Sequence, residues 1–94
     1  MKIDKAAIAG TLESSDCMVT VEPGNGSVGL WLDSVVMNQF GEQIQKVVRE
    51  TLERLDVKDV FISIVDKGAL DCTIKARVEC AVYRSAGQKT DVPW

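Results

Sequence analysis

The stretch "GTLESSDCMV", residues 10–19, sets Ser14 and Ser15 between Glu13 and Asp16, directly ahead of an alternating apolar run. A serine hydroxyl can attack an electrophile or accept a covalent group. Ser beside Asp also makes turns, in which the side chains bond the nearby backbone. Attack in cis needs a base, and the chain contains no histidine. That excludes the Ser–His and Cys–His pairs of conventional nucleophilic catalysis. A working serine here is therefore one that another enzyme modifies, and an exposed loop is where that enzyme can reach it.

The other reactive residues favour bland readings. Cys17, Cys72 and Cys80 are odd in number and show no C-x-x-C spacing. Reduced cytoplasmic thiols are expected, with neither a disulfide framework nor a zinc site. "GNG" at 24–26 lacks the Lys-Ser/Thr and following helix of a phosphate loop, and reads as a turn. Asp66 and Asp71 flank "KGAL" without further oxygen ligands at fixed spacing, so solvated carboxylates are expected. No catalytic residue and no metal ligand emerges. Trp31 alternates with apolar neighbours and is expected to pack on the outer face of a sheet.

Ninety-four residues make one small domain with a modest core. The hydrophobic fraction of 46% and charged fraction of 27% are those of a soluble globular chain. No apolar run nears the roughly 18 residues of a membrane span, and "MKIDKAAIAG" has no apolar core for a signal peptide. A cytoplasmic protein is expected, with no membrane partner. The net charge of −3 is spread without a basic patch, so no nucleic acid is expected either.

The elements that must hold the serines follow from periodicity. Cys17, Val19 and Val21 alternate with polar residues, as do Val28, Leu30 and Leu32, and "PGNG" lies between them. Two strands forming a hairpin are expected. "AAIAGTL" adds a possible further strand before Ser14. Phe40, Ile44, Val47, Val48, Leu52 and Leu55 fall on one helical stripe, with Asp33 or Ser34 as N-cap. Glu42–Lys46 and Glu50–Arg54 are i,i+4 pairs on the solvated side. Val60 to Val65 is apolar on both faces and reads as a central strand, closed by "DKG". Residues 72–85 carry both periods. A strand from Cys72 to Val78 is favoured, passing into a helical turn before Gly87. Residues 88–94, ending in Trp94, read as a mobile tail. The expected fold is α+β: a small, mainly antiparallel sheet with one long amphipathic helix on one face, in a single domain 1–94.

"AGTLESSD" at 9–16, "QFG" at 39–41, "DKGALDC" at 66–72 and "ARVE" at 76–79 resemble the acyl carrier protein, or gamma subunit, of citrate lyase. The resemblance runs in order from Met1 to Trp94. It implies a non-catalytic carrier subunit, a phosphoprotein of citrate fermentation. Ser14, the serine of the "LES" block, would carry phosphoribosyl dephospho-coenzyme A through a phosphodiester ending in a pantetheine thiol. The family often has Gly where this chain has Ser15, and register assigns the attachment to Ser14. The implied cycle exchanges acetyl on the thioester for citryl, then cleaves citryl to oxaloacetate and regenerates acetyl thioester. Its implied partners are the acyltransferase (alpha) and lyase (beta) subunits, with a prosthetic-group transferase and an acetate ligase acting on the carrier. The carrier subunit of malonate decarboxylase ranks second, because its serine lies in a Gly-Ser-Gly-Asp setting and it lacks "KGALD". An unmodified structural adaptor subunit is the alternative from a different class.

Overall fold

A computed structural model describes residues 2–86. The tail expected at 88–94 lies outside the described residues. Four strands and two helices run in the order β1 (Ala7–Gly10), β2 (Cys17–Glu22), β3 (Val28–Ser34), α1 (Met37–Arg54), β4 (Val60–Asp66) and α2 (Asp71–Ser85). The strands form one sheet in the order β1-β2-β4-β3. The α+β class, the mainly antiparallel sheet and the long helix packed on it all stand.

Period-two patterning sorts the sheet's two faces. Val19, Val21, Ile62 and Ile64 are fully buried on the inner face, beneath both helices. Met18, Thr20, Ser63 and Val65 are half-buried on the outer face. Trp31 lies on that outer face as expected, yet 51% exposed, because no described layer covers it. β4 pairs antiparallel with β2 and parallel with β3, which makes it the central strand its two-sided apolar pattern indicated.

The expected β2–β3 hairpin does not form, because β4 inserts between the two strands. Residues 23–27 instead cross the start of β4 and bond to it. Gly26 N–H donates to Asp59 Oδ1 at 2.8 Å, and Val60 N–H donates to Ser27 O at 3.2 Å. The crossing is tight at Gly24, where a Cβ would lie 2.7 Å from the Val60 nitrogen. β3 then reaches β4 through α1, a β-α-β crossover that supplies the parallel pairing.

α1 buries Ile44, Val47, Val48 and Leu52 as expected, together with Gly41 and Thr51. Thr51 satisfies its hydroxyl by donating to Val47 O at 2.7 Å. Phe40 departs from the stripe and stays 52% exposed at the helix's first turn. Neither Asp33 nor Ser34 caps α1, since β3 runs through Ser34 and Val36 holds the N-cap position without a side-chain bond. Arg54, placed with Glu50 by spacing, forms an ion pair with Glu79 of α2.

The largest correction is at residues 71–85, where the strand favoured from Cys72 to Val78 is helix throughout. Ile74, Val78, Ala81 and Val82 share one helical face and all four are fully buried. A helix also ends in bonds that anchor the amino terminus. Ser85 Oγ donates to Lys5 O at 2.6 Å, and Arg84 Nη1 donates to Ile8 O at 2.7 Å. α2 thus covers β1 and β2 while α1 covers the β3 side.

Gly24→Ala is expected to cost about 1–3 kcal/mol, because the added methyl presses on the backbone of the central strand. Urea denaturation read by circular dichroism measures it.

Candidate attachment site

Six residues, 11–16, join β1 to β2, and their shape is fixed from both ends. Gly10 closes β1 at φ +96°, and a Cβ there would meet the Cys17 carbonyl oxygen at 1.9 Å. Only glycine fits that approach. Thr11 N–H donates to the same Cys17 oxygen at 3.2 Å and shuts the loop at its neck. Asp16 N–H donates to Glu13 O at 3.1 Å, so Ser14 and Ser15 are the central pair of a β-turn. Both are exposed. The turn and the reachable hydroxyls, which read as alternatives in the sequence, coexist.

Ser15 takes φ +66°, the left-handed region that glycine enters most easily. Glycine would take that conformation without strain. Ser15 N–H donates to Lys67 O at 2.9 Å, and Lys67 N–H donates to Asp16 O at 2.9 Å. The serine turn is thereby hydrogen-bonded to the "DKG" turn after β4. The Ser14 hydroxyl enters none of these bonds.

Asp16 is the anchor. Its Oδ1 accepts from Cys17 N–H at 2.7 Å and from Arg77 Nε at 3.0 Å. Its Oδ2 accepts from Thr11 Oγ1 at 2.6 Å and from Arg77 Nη2 at 2.9 Å. The fork from Arg77 crosses from α2 and is the bidentate geometry in which arginine binds carboxylate most strongly. The Arg77 hydrogen bonds, helped by Thr11, hold the Asp16 carboxyl down to about 2, and Asp16 in turn raises the Arg77 guanidinium. Thr11 also accepts from Glu13 N–H at 3.2 Å, tying the loop's first half to the same anchor.

The other reactive residues are placed for different work. Cys17 is fully buried, and burial, with the Asp16 and Asp66 charges nearby, pushes its thiol up to about 12. A thiol held neutral at physiological pH is a poor nucleophile. Cys80 is also buried, Cys72 is exposed, and all three are free. Asp66 corrects the expectation of a solvated carboxylate, since it is only 1% exposed. It accepts from Ser34 Oγ at 2.8 Å and from Ala69 N–H at 2.9 Å, which joins the end of β3 to the turn after β4. Asp71 opens α2 and accepts from Gln43 Nε2 at 3.1 Å. Among the described residues no group of three or more Cys, Asp or Glu is placed to hold a metal ion, and no helix is long and apolar enough to cross a membrane.

Thr11, Lys67 and Arg77 brace the site, and sequence reasoning assigned none of them a role. Arg77 stands 61 residues from its partner, a separation at which periodicity carries no signal.

The structure thus shows a small protein with a short hydroxyl-bearing loop clamped between a sheet and a helix. Residues 4–85 match the acyl carrier family described as "Malonate decarboxylase delta subunit (MdcD)". The fold matches a chain in the crystal structure of a Pseudomonas malonate decarboxylase hetero-tetramer in complex with malonate, with TM-score 0.69 and 23% identity, over 87% of this chain and 84% of that one. The citrate lyase acyl carrier protein of Vibrio cholerae is 55% identical over 86 residues, 90% of this chain and 88% of its own. That of Streptococcus mutans is 55% identical over 87 residues, 92% of this chain and 85% of its own. Citrate lyase acyl carrier protein 2 of Salmonella paratyphi A is 50% identical across the whole of this chain and 97% of its own. The chain belongs to the citrate lyase acyl carrier protein family.

Arg77→Gln is expected to destabilise the fold by about 2 kcal/mol near neutral pH, the scale of a charge-assisted hydrogen bond in a part-buried setting. Because the folded Asp16 titrates near 2, below its ordinary value of 3.8, its contribution is complete above about pH 4. It fades as the pH falls toward 2. Urea midpoints of the wild type and Arg77→Gln should therefore converge between pH 4 and pH 2.

Proposed function

We propose that the chain is the acyl carrier subunit of a citrate lyase, and that Ser14 bears phosphoribosyl dephospho-coenzyme A through a phosphodiester. The observation that carries this reading is the turn at 13–16. It exposes the Ser14 hydroxyl while Asp16–Arg77 and Ser15–Lys67 fix the backbone on its C-terminal side. The group fits the residues present, since a long chain rooted on an exposed hydroxyl needs open space above and a rigid base below. When attached, the group supplies a thiol on which acetyl or citryl is held as a thioester.

Attachment needs chemistry that this chain lacks. A transferase must take the Ser14 hydroxyl proton while the new Oγ–P bond forms at the inner phosphorus of an activated nucleotide precursor and its phosphoanhydride bond breaks, so that the outer phosphate or pyrophosphate leaves with the bonding electrons. The chain's own residues then only hold the root. Tethering keeps the acyl group at high effective concentration before the acyltransferase and lyase subunits of a cytoplasmic complex. A related arm on a malonate decarboxylase-type complex is the second reading, favoured only by the family description and the shared fold. The 50–55% identity to citrate lyase carriers outweighs it.

Intact mass after co-expression with the citrate lyase prosthetic-group transferase tests the reading. A single nucleotide-bearing mass is expected in the wild type, absent in Ser14→Ala and retained in Ser15→Gly. Ser15→Gly should also raise stability by up to about 1 kcal/mol, by relieving the left-handed residue. An unmodified wild type, or an adduct that survives Ser14→Ala, rejects it.

A further inference from the structure

The serine turn stands beside an apolar groove that the attachment reading does not use. Val36, Phe40, Gln43 and Ile44 form one wall, and residues 68–72 form the other, around a space of about 570 Å³. That lies within the range of small-molecule sites, about 300–1,000 Å³. Its rim is apolar and open, with Phe40 52% and Leu70 71% exposed.

Three observations connect this groove to Ser14. Lys67, whose backbone is bonded to both Ser15 and Asp16, immediately precedes Gly68 at the groove's mouth. Gly68 has no atom within 4 Å of the position a Cβ would take, so the turn between Lys67 and the groove is open on that side. Arg77 is committed to Asp16, and Lys67 is a second basic residue, on the segment whose backbone is bonded to the serine turn. A second hollow, where Val28, Leu52 and Val57 are ringed by the charged Arg49, Glu53, Asp56 and Lys58, lies at the far end of the sheet, where β3 and β4 begin. A seven-residue strand puts it about 20 Å away.

We propose that the groove is a resting site for the arm itself. Resting on the Ser14 reading, the inference places the phosphodiester by Lys67 and the pantetheine chain against Phe40 and Leu70, out of water between transfers. Pantetheine is amphipathic, with methyl and methylene groups separated by two amides. The groove matches that with apolar walls joined by the polar pair Gln43 and Asp71. The tether makes weak contacts sufficient, because docking is intramolecular at millimolar effective concentration. Weakness is also required, since the arm must leave for partner active sites.

Cys72 lines the groove and is exposed, while Cys17 and Cys80 are buried, so its alkylation reports on occupancy. In the chain modified by co-expression, iodoacetamide should label the Cys72 peptide about fivefold more slowly than in unmodified Ser14→Ala, for a docked fraction of about 80%. Phe40→Ser/Leu70→Ser, two exposed positions, should restore the unmodified rate while keeping the added mass. Lys67→Ala should restore part of it. Backbone amide shifts at Gly68, Ala69 and Leu70 on modification give an independent readout. Equal Cys72 rates and unmoved amides in a chain that carries the mass on Ser14 overturn the groove and leave the attachment intact. A chain without the mass overturns both. Protection that arises only when the other lyase subunits are added makes the groove a partner's seat and overturns the inference.

Discussion

The Asp16–Arg77 fork is the interaction on which the working end of the molecule depends. Without it the link between β1 and β2 is an exposed turn with one left-handed serine, held by backbone bonds at its neck and to Lys67. With it, one carboxylate gathers four donors from a threonine, a backbone amide and an arginine on a different element. Such a cluster is far stronger than a lone surface pair, because the charge is hydrogen-bonded on both oxygens and partly withdrawn from water. The hydroxyls project from a platform, and the freedom that a carrier needs is left to whatever is attached.

Two consecutive residues, Asp66 and Lys67, divide the remaining structural work. Asp66, paired across the sheet with Cys17, joins the end of β3 to the turn after β4. Lys67, next in the chain, bonds the serine turn on both sides. The sheet edge, the central strand and the serine turn therefore meet within two consecutive residues. Cys17 sits at this junction as packing, its thiol kept neutral by burial.

Much of this was legible in the sequence, and what escaped did so for identifiable reasons. Strands at 17–22, 28–34 and 60–66 and the helix at 37–54 each carry one period over their length, and each stands. Residues 71–85 carry two. Ile74, Ala76, Val78, Cys80 and Val82 alternate, while Ile74, Val78, Ala81 and Val82 form a helical face. Only the available partner surface, the inner faces of β1 and β2, selects the helix. The hairpin reading failed because a turn sequence reports that the chain reverses, and not that another strand will enter the gap. Asp66 was read as solvated because burial of a carboxylate depends on donors such as Ser34, 32 residues away. The exposed serine was readable from local composition. Its bracing was not, since Lys67 and Arg77 are brought to it by the sheet and by α2.

The 61-residue separation of Asp16 and Arg77 has a consequence for biosynthesis. While the ribosome is still making the first three strands, the stretch around Ser14 is a slack segment with no guanidinium to grip. It reaches its braced shape only after the last helix has emerged and docked. An enzyme that recognises the braced shape would ignore nascent and truncated chains, so loading itself would certify that translation and folding are finished.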